Sequence, residues 1–125
     1  MENEFIPYAE ALALKELGFD ERCFTRYYES GKLADSLSYL HHNHFGQVNA
    51  PLYQQAFRWF REKHNIDGLL HKTAEGSYYF WITECEYENY NQYKYYNQMV
   101  YFNTNEEAEL ACLQKLIEII ESKSE

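Results

Sequence analysis

The sequence predicts an α+β protein, with an antiparallel meander sheet of about five strands and helices packed on one face of it. Three segments repeat apolar residues with the three-to-four-residue period of an amphipathic helix. Between them lie short runs rich in aromatic and β-branched residues, joined by short polar segments. Short turns between consecutive strands imply antiparallel pairing, and the helices must then cover one face of the sheet. The predicted element order is α-β-β-α-β-β-β-α.

The first helix is predicted to begin near Pro7 and to end at Gly18. Proline suits a first helical position because its missing N–H would be unpaired there. Glycine readily adopts the left-handed conformation that ends many helices. After this helix, residues 23–28 and 33–40 are predicted to form a hairpin, and residues 41–50 a polar loop.

A second helix is predicted from Pro51 to about His64, and its Trp59 and Phe60 are interpreted as core residues. It is followed by a second predicted hairpin, whose second arm is the run SYYFWITE. Aromatic and β-branched residues fill this run, which makes it the strongest strand signal in the chain. A short strand at residues 98–102 is expected to complete the sheet.

The last helix has the clearest predicted start. Thr104 and Glu107 have the spacing of a capping box, in which each side chain bonds the backbone N–H of the other residue. A wide apolar stripe follows and is expected to face the core, with its centre at Leu110, Leu113, Ile117 and Ile120.

The length of 125 residues fits one domain spanning residues 1–125. The formal net charge is −9, which disfavours nucleic acid, because affinity for nucleic acid depends largely on cationic groups that replace counterions at phosphates. An anionic membrane surface is disfavoured for the same reason.

Three widely spaced cysteines, Cys23, Cys85 and Cys112, offer neither a disulfide framework nor a CxxC pair. The first residues lack the basic and apolar regions of a secretion signal. No apolar stretch approaches the ~20 residues of a membrane helix. We therefore expect a reduced, cytoplasmic protein.

His41, His42 and His44 are the residues most suggestive of a metal site. Zinc sites need three or four ligands that converge, and neighbours in one loop rarely do so. A solvated loop is therefore expected, with no metal and no cofactor. A cysteine–histidine nucleophile would need partners that meet only in the fold, and no local pattern marks an activated cysteine, so no enzymatic activity is expected.

The second helix carries Arg58, Arg61 and Lys63 close together. Such a cluster can hold a phosphate or an acidic partner. The alternative, which we favour, is the solvated face of an amphipathic helix.

Residues 85–97 combine tyrosine with asparagine and glutamine, a mixture typical of recognition surfaces. The alternative is a long, two-sided polar hairpin. Several of the tyrosines step by three, which matches neither one strand face nor a helical stripe. We therefore expect an exposed extension of the second hairpin, with partner-binding residues Tyr87, Tyr90, Asn91, Tyr93, Tyr95 and Tyr96.

Three stretches, ALALKELGFDE, PLYQQAFRWFREK and EEAELACLQKLIEII, cover about a third of the chain. In these stretches the sequence resembles short uncharacterised proteins encoded by bacteriophages and prophages of gut Bacteroidales. The resemblance implies a phage or mobile-element origin and a bacterial cytoplasm. It carries no assigned activity, so it identifies no functional residue.

Residues 51–121 also resemble the double-stranded-RNA-binding domain in their predicted order, α-β-β-β-α. In that family the last helix opens with a lysine cluster. Residues 104–109 of this chain carry three glutamates there instead, so the residues that would bind phosphate are missing.

These patterns together predict a non-enzymatic accessory protein of a phage or mobile element that binds another protein, or a second copy of itself, through the tyrosine-rich segment. The alternative is a nucleic-acid-binding protein whose tyrosines stack on single-stranded bases.

Overall fold

A computed structural model describes residues 4–34, 47–85, 93–96 and 100–123. Its elements follow the predicted order, and the α+β class is confirmed. The helices are α1 (Tyr8–Glu16), α2 (Tyr53–His64) and α3 (Asn105–Lys123), and the strands are β1 (Thr25–Tyr27), β2 (Val48–Ala50), β3 (Ile66–Lys72), β4 (Tyr78–Cys85) and β5 (Tyr93–Tyr96).

The described strands lie in two antiparallel sheets and not in the single five-stranded meander that was predicted. One sheet pairs β1 with β2, and the other has the order β3-β4-β5. The chain also divides into two compact units, Met1–Ala56 and Phe57–Glu125, each of which contains one of the sheets. A single domain over residues 1–125 stays a prediction.

In the unit Met1–Ala56, α1 packs against β2. Pro7 has extended backbone angles and precedes α1, and its carbonyl accepts a hydrogen bond from the N–H of Ala11 at 2.9 Å. The predicted stop is confirmed, because Gly18 follows the last turn with a φ of +104°. Leu14 is completely buried and anchors the helix in the core of this unit.

The first predicted hairpin is confirmed next to its turn, where the N–H of Tyr28 donates to the carbonyl of Lys32 at 2.9 Å and the N–H of Ala34 donates to the carbonyl of Arg26 at 2.8 Å. Leu33 makes a single antiparallel bridge with Tyr27, and residues 35–40 lie outside the described residues. The strand that pairs along β1 is β2, which falls within the predicted polar loop. All three residues of β2 are buried, and the amide of Asn49 donates a hydrogen bond to the carbonyl of Glu21 at 3.0 Å. This hydrogen bond satisfies the amide nitrogen of Asn49 in the interior.

In the unit Phe57–Glu125, the hairpin of β3 and β4 is confirmed. Its turn contains Gly76 at a φ of +90°, with the N–H of Gly76 donating to the carbonyl of Thr73 at 3.1 Å. The start of α3 is also as predicted, because the hydroxyl of Thr104 accepts a hydrogen bond from the N–H of Glu107 at 3.1 Å.

Among the helices of the described residues, none has the length and apolarity needed to cross a bilayer.

The third strand of the second sheet lies earlier in the chain than predicted. Val100 and Tyr101 belong to no strand and are about half exposed, and Phe102 makes only one bridge with Tyr78. The strand β5 instead lies within the tyrosine-rich segment and pairs with β4 through Ile82–Cys85. Buried neighbours stabilise a strand, and residues 100 and 101 have none of the burial that such pairing would bring.

Candidate functional site

One face of the β3–β4 hairpin forms the core of its unit. Partner residues in an antiparallel pair share a face, and successive residues alternate between faces. The register pairs Gly68 with Ile82 and Leu70 with Phe80. Ile82 and Phe80 are buried, and α3 packs against both strands. This face is therefore the one that α3 covers.

Gly68 allows α3 to approach β3 closely. A methyl group added at Gly68 would stand 2.6 Å from the Sγ of Cys112 and 3.3 Å from a Cδ of Leu116. Both of these α3 side chains are completely buried. Only a residue without a side chain fits at this crossing, and this fixes which face of the hairpin α3 occupies.

The opposite face carries a cluster of large side chains that remain accessible. The register pairs Leu69 with Trp81 and His71 with Tyr79, and Tyr101 packs against Tyr79. Leu69 and Tyr101 are 46% and 53% exposed, while Tyr79 and Trp81 are partly exposed. We call these five residues the aromatic face.

The rings of the aromatic face are held in place by one another. His71 stacks on Tyr79 with ring centroids 5.0 Å apart and an interplanar angle of 20°. Tyr101 meets Tyr79 edge to face, at 5.7 Å and 65°. Aromatic pairs in these geometries contribute about 0.5–1.5 kcal/mol beyond their burial. The row His71–Tyr79–Tyr101 is therefore preorganised, with one face of the Tyr79 ring already covered by His71.

Charged groups near the aromatic face are few among the described residues. Asp67 precedes Leu69 on the same face of β3, and its carboxylate lies 3.5 Å from the guanidinium of Arg61. Arg61 is one of the cations of the basic cluster predicted on α2. The other arginine of that cluster, Arg58, is exposed. The basic cluster is thus partly engaged within its own unit.

The predicted partner-binding tyrosines lie next to the aromatic face along the chain. Tyr93, Tyr95 and Tyr96 belong to β5, where the register places Tyr95 beside Thr83 of β4. Thr83 follows Trp81 on the exposed face of the hairpin. Tyr87, Tyr90 and Asn91 lie outside the described residues, so their role stays a prediction.

A second cluster lies at the buried side of the same unit. The Nζ of Lys123, at the end of α3, bonds the carboxylate of Glu84, which is buried on the α3 side of the sheet. His64 lies against the rings of Trp59 and Phe60. Burial lowers the pKa of His64 below its usual value, and the positive charge of Lys123 lowers it further. These contacts attach the ends of α2 and α3 to the core.

The two cysteines whose side chains are described, Cys23 and Cys112, have unreactive thiols. Burial raises the pKa of Cys23 to about 12, assisted by the charge of Glu21. Burial also raises the pKa of Cys112 to about 12, assisted by Asp67 and Glu109. The thiolate is the nucleophilic form, so neither thiol is activated.

Within residues 4–34, 47–85, 93–96 and 100–123, no group of three or more histidine, cysteine, aspartate or glutamate side chains could hold a metal ion. His41, His42 and His44 lie outside those ranges, so their predicted role as solvated loop residues stays a prediction.

Sequence reasoning missed the aromatic face because it identified SYYFWITE as a strand without assigning its two faces. A usable signal was present in the alternation of that run. Tyr79 and Trp81 carry polar groups and alternate with Phe80 and Ile82, which carry none. This alternation is typical of a strand with one buried face and one solvent-exposed face.

Comparison with protein-family models, with curated proteins and with solved structures finds no match to this chain.

Proposed function

We propose that this chain is a non-enzymatic accessory protein of a phage or mobile element, and that it binds another protein in the bacterial cytoplasm through the aromatic face. The observation that carries the proposal is the exposure of Leu69 and Tyr101 beside partly exposed Tyr79 and Trp81. Clustered exposed apolar residues mark interaction sites in soluble proteins. Tyrosine and tryptophan are also the residues that most often dominate binding energy.

The tyrosine-rich segment would extend this surface. Strand β5 pairs with β4, whose Trp81 belongs to the aromatic face. A partner that covers Trp81 would therefore lie close to the Tyr96 end of β5, since Tyr96 pairs with Ile82. Replacing Tyr93 and Tyr95, which pair with Cys85 and Thr83 on the exposed face of the hairpin, by serine should then weaken binding without unfolding the protein.

Nucleic acid is the weaker candidate. The order α2-β3-β4-β5-α3 agrees with that of the double-stranded-RNA-binding domain, but architecture alone does not confer function. The start of α3 is acidic, with Glu106 and Glu107 in its first turn. A net charge of −9 would oppose the approach of a phosphate backbone.

The proposal is tested by capture from a bacterial lysate followed by mass spectrometry, with sedimentation velocity to detect self-association. The variant Leu69→Ser/Tyr101→Ser removes two exposed apolar side chains of the aromatic face, at 46% and 53% exposure. The matched control is Phe24→Ser/Tyr28→Ser, which removes two side chains of similar exposure, 48% and 39%, in the other unit.

We expect the unmodified protein and the control to capture the same partner, or to form the same oligomer, and the aromatic-face variant to lose it. Melting temperatures of both variants serve to show that the fold is intact. Equal capture by the two variants would refute the proposal, as would the absence of any partner or oligomer.

A further inference from the structure

We infer that His64, Glu84 and Lys123 form a pH-sensitive latch, which holds the last turn of α3 on its unit at neutral pH and releases it in mild acid. The last turn comprises residues 120–123. The latch lies on the α3 side of the β3–β4 hairpin and does not depend on the proposed function. It is supported by the burial of Glu84, the position of His64 next to it, and the exposure of the helix end.

Glu84 is a carboxylate with almost no access to solvent. It is 5% exposed, and the Nζ of Lys123 bonds it from the end of α3. Removing the cation from a buried ion pair is strongly destabilising, because it leaves a charge in the interior without compensation. Glu84 therefore favours any conformation in which a cation stays beside it, whichever residue supplies that cation.

His64 is held near Glu84 by the turn between α2 and β3. It is the last residue of α2, and Asn65, at a φ of +56°, leads the chain directly into β3. The first residue of β3, Ile66, is the Cα partner of Glu84. The ring centroid of His64 lies 4.9 Å from that of Trp59. The backbone and the ring contact together keep the imidazole at this end of the sheet.

Protonation of His64 would place a second cation at the end of the sheet that Lys123 already occupies. Like charges in proximity oppose each other, and the pKa of His64 is lowered first by burial and then by the charge of Lys123. Lys123 is the cation that can leave at lower cost, because its side chain is already 48% exposed and regains water readily. His64 takes its proton from solvent and replaces Lys123, which keeps its own proton, beside Glu84.

The helix end that carries Lys123 is well placed to move. Residues 121–123 are exposed, whereas Ile119 and Ile120 before them are buried. Amides at the ends of helices also open at little free-energy cost. Loss of the ion pair therefore releases the last turn and leaves the buried stripe of α3 in place.

Other charged residues lie on the elements around His64: Arg61 and Lys63 on α2, Asp67 on β3, Lys94 on β5 and Glu121 on α3. Arg61 and Asp67 pair with each other at 3.5 Å. Lys63 and Glu121 are exposed, so water and salt screen their charges. Lys94 stands opposite Glu84 in the strand register, and its replacement is therefore one of the controls.

Backbone ¹⁵N relaxation of the full chain, in a series from about pH 7.5 to about pH 5, tests the inference across the usual titration range of histidine. The readout is the order parameter of amides 120–123, and the completely buried Leu113 in the middle of α3 is the internal reference. The test variants are His64→Gln and Lys123→Met. The controls are Lys94→Met and His71→Gln, which replaces an exposed histidine of the same unit.

We expect the order parameters of amides 120–123 to fall from about 0.85 to below about 0.6 as the pH drops, while that of Leu113 stays constant. Both controls should show the same fall, and His64→Gln should keep the turn ordered. Lys123→Met should show low order at every pH, which tests the latch without any change at His64.

The inference is overturned if the last turn stays ordered at the acid end of the series, or if His64→Gln responds as the unmodified protein does. A last turn that remains ordered in Lys123→Met would also overturn it, as would loss of the response in Lys94→Met. A fall shared equally by Leu113 would report global unfolding and would contradict local release.

Discussion

The packing of α3 against β3 predicts the consequence of replacing Gly68 by alanine. The new methyl carbon would lie 2.6 Å from the Sγ of Cys112 and 3.3 Å from a Cδ of Leu116, both inside contact distance. Cys112 is completely buried, so its sulfur cannot move without displacing neighbours. We expect Gly68→Ala to lower the free energy of unfolding by about 1–3 kcal/mol, the usual cost of overpacking a core.

The direction of this change in the free energy of unfolding is informative, because replacing glycine by alanine usually stabilises a protein. Gly68 does not require a positive φ, and at such positions alanine normally stabilises by about 0.4–1 kcal/mol through the unfolded state. Destabilisation would therefore report the contact with α3. Urea unfolding followed by tryptophan fluorescence measures it, since Trp59 and Trp81 both lie in the unit Phe57–Glu125.

A double-mutant cycle identifies the contact responsible. Cys112→Ala removes the sulfur that lies nearest the added methyl, so Gly68→Ala should cost less in that background, with a coupling energy of about 0.5–3 kcal/mol. The control is Gly76→Ala, at a φ of +90° with open space around it, whose cost should not change with Cys112→Ala. If Gly68→Ala stabilises the protein, or if Cys112→Ala gives no relief, α3 does not cross β3 at Gly68.

Other predictions concern the core, pH and the thiols. Leu113 is completely buried, so Leu113→Ala should cost ~2–5 kcal/mol in urea unfolding, and an unchanged midpoint would show that the core is misplaced. Because the pKa of His64 is lowered in the folded state, the unfolded state binds the proton first. The free energy of unfolding should therefore decrease as the pH drops below 6.5 towards the lowered pKa of His64. In thermal melts, His64→Gln should make the melting temperature less dependent on pH over that range. Cys23 and Cys112, with pKa values raised to about 12, should react with a thiol reagent at pH 8 only after denaturation, and rapid native reaction would contradict their burial. Stoichiometric zinc or nickel should leave the melting temperature unchanged, and a rise that depends on the loop histidines would overturn this.

The parts of the fold that the sequence predicted well are those with strong local signals. Thr104 and Glu107 define the start of α3 by their own hydrogen bond, and three of the four predicted stripe residues, Leu113, Ile117 and Ile120, are buried. The β3–β4 hairpin follows from its glycine-containing turn and its apolar arms. In each case the decisive interaction lies within a few residues of the signal.

The parts that it did not predict depend on distant contacts. Strand β2 contains the polar Asn49, which is stabilised in the interior by the carbonyl of Glu21, 28 residues away. No local pattern encodes that hydrogen bond. The place of β5 depends likewise on pairing with β4, and the composition of the tyrosine-rich segment indicated recognition more clearly than it indicated a strand. The aromatic face became visible only once the register and the position of α3 showed which side of β4 remains exposed.

The central claim is that the aromatic face is the surface that binds a partner, and the affinity of the purified partner tests it most directly. Titration calorimetry would compare Leu69→Ser/Tyr101→Ser with the control Phe24→Ser/Tyr28→Ser. We predict that the aromatic-face variant binds at least about tenfold more weakly, a loss of ~1.4 kcal/mol or more, while the control binds as the unmodified protein does. Equal affinities for the two variants would contradict the account.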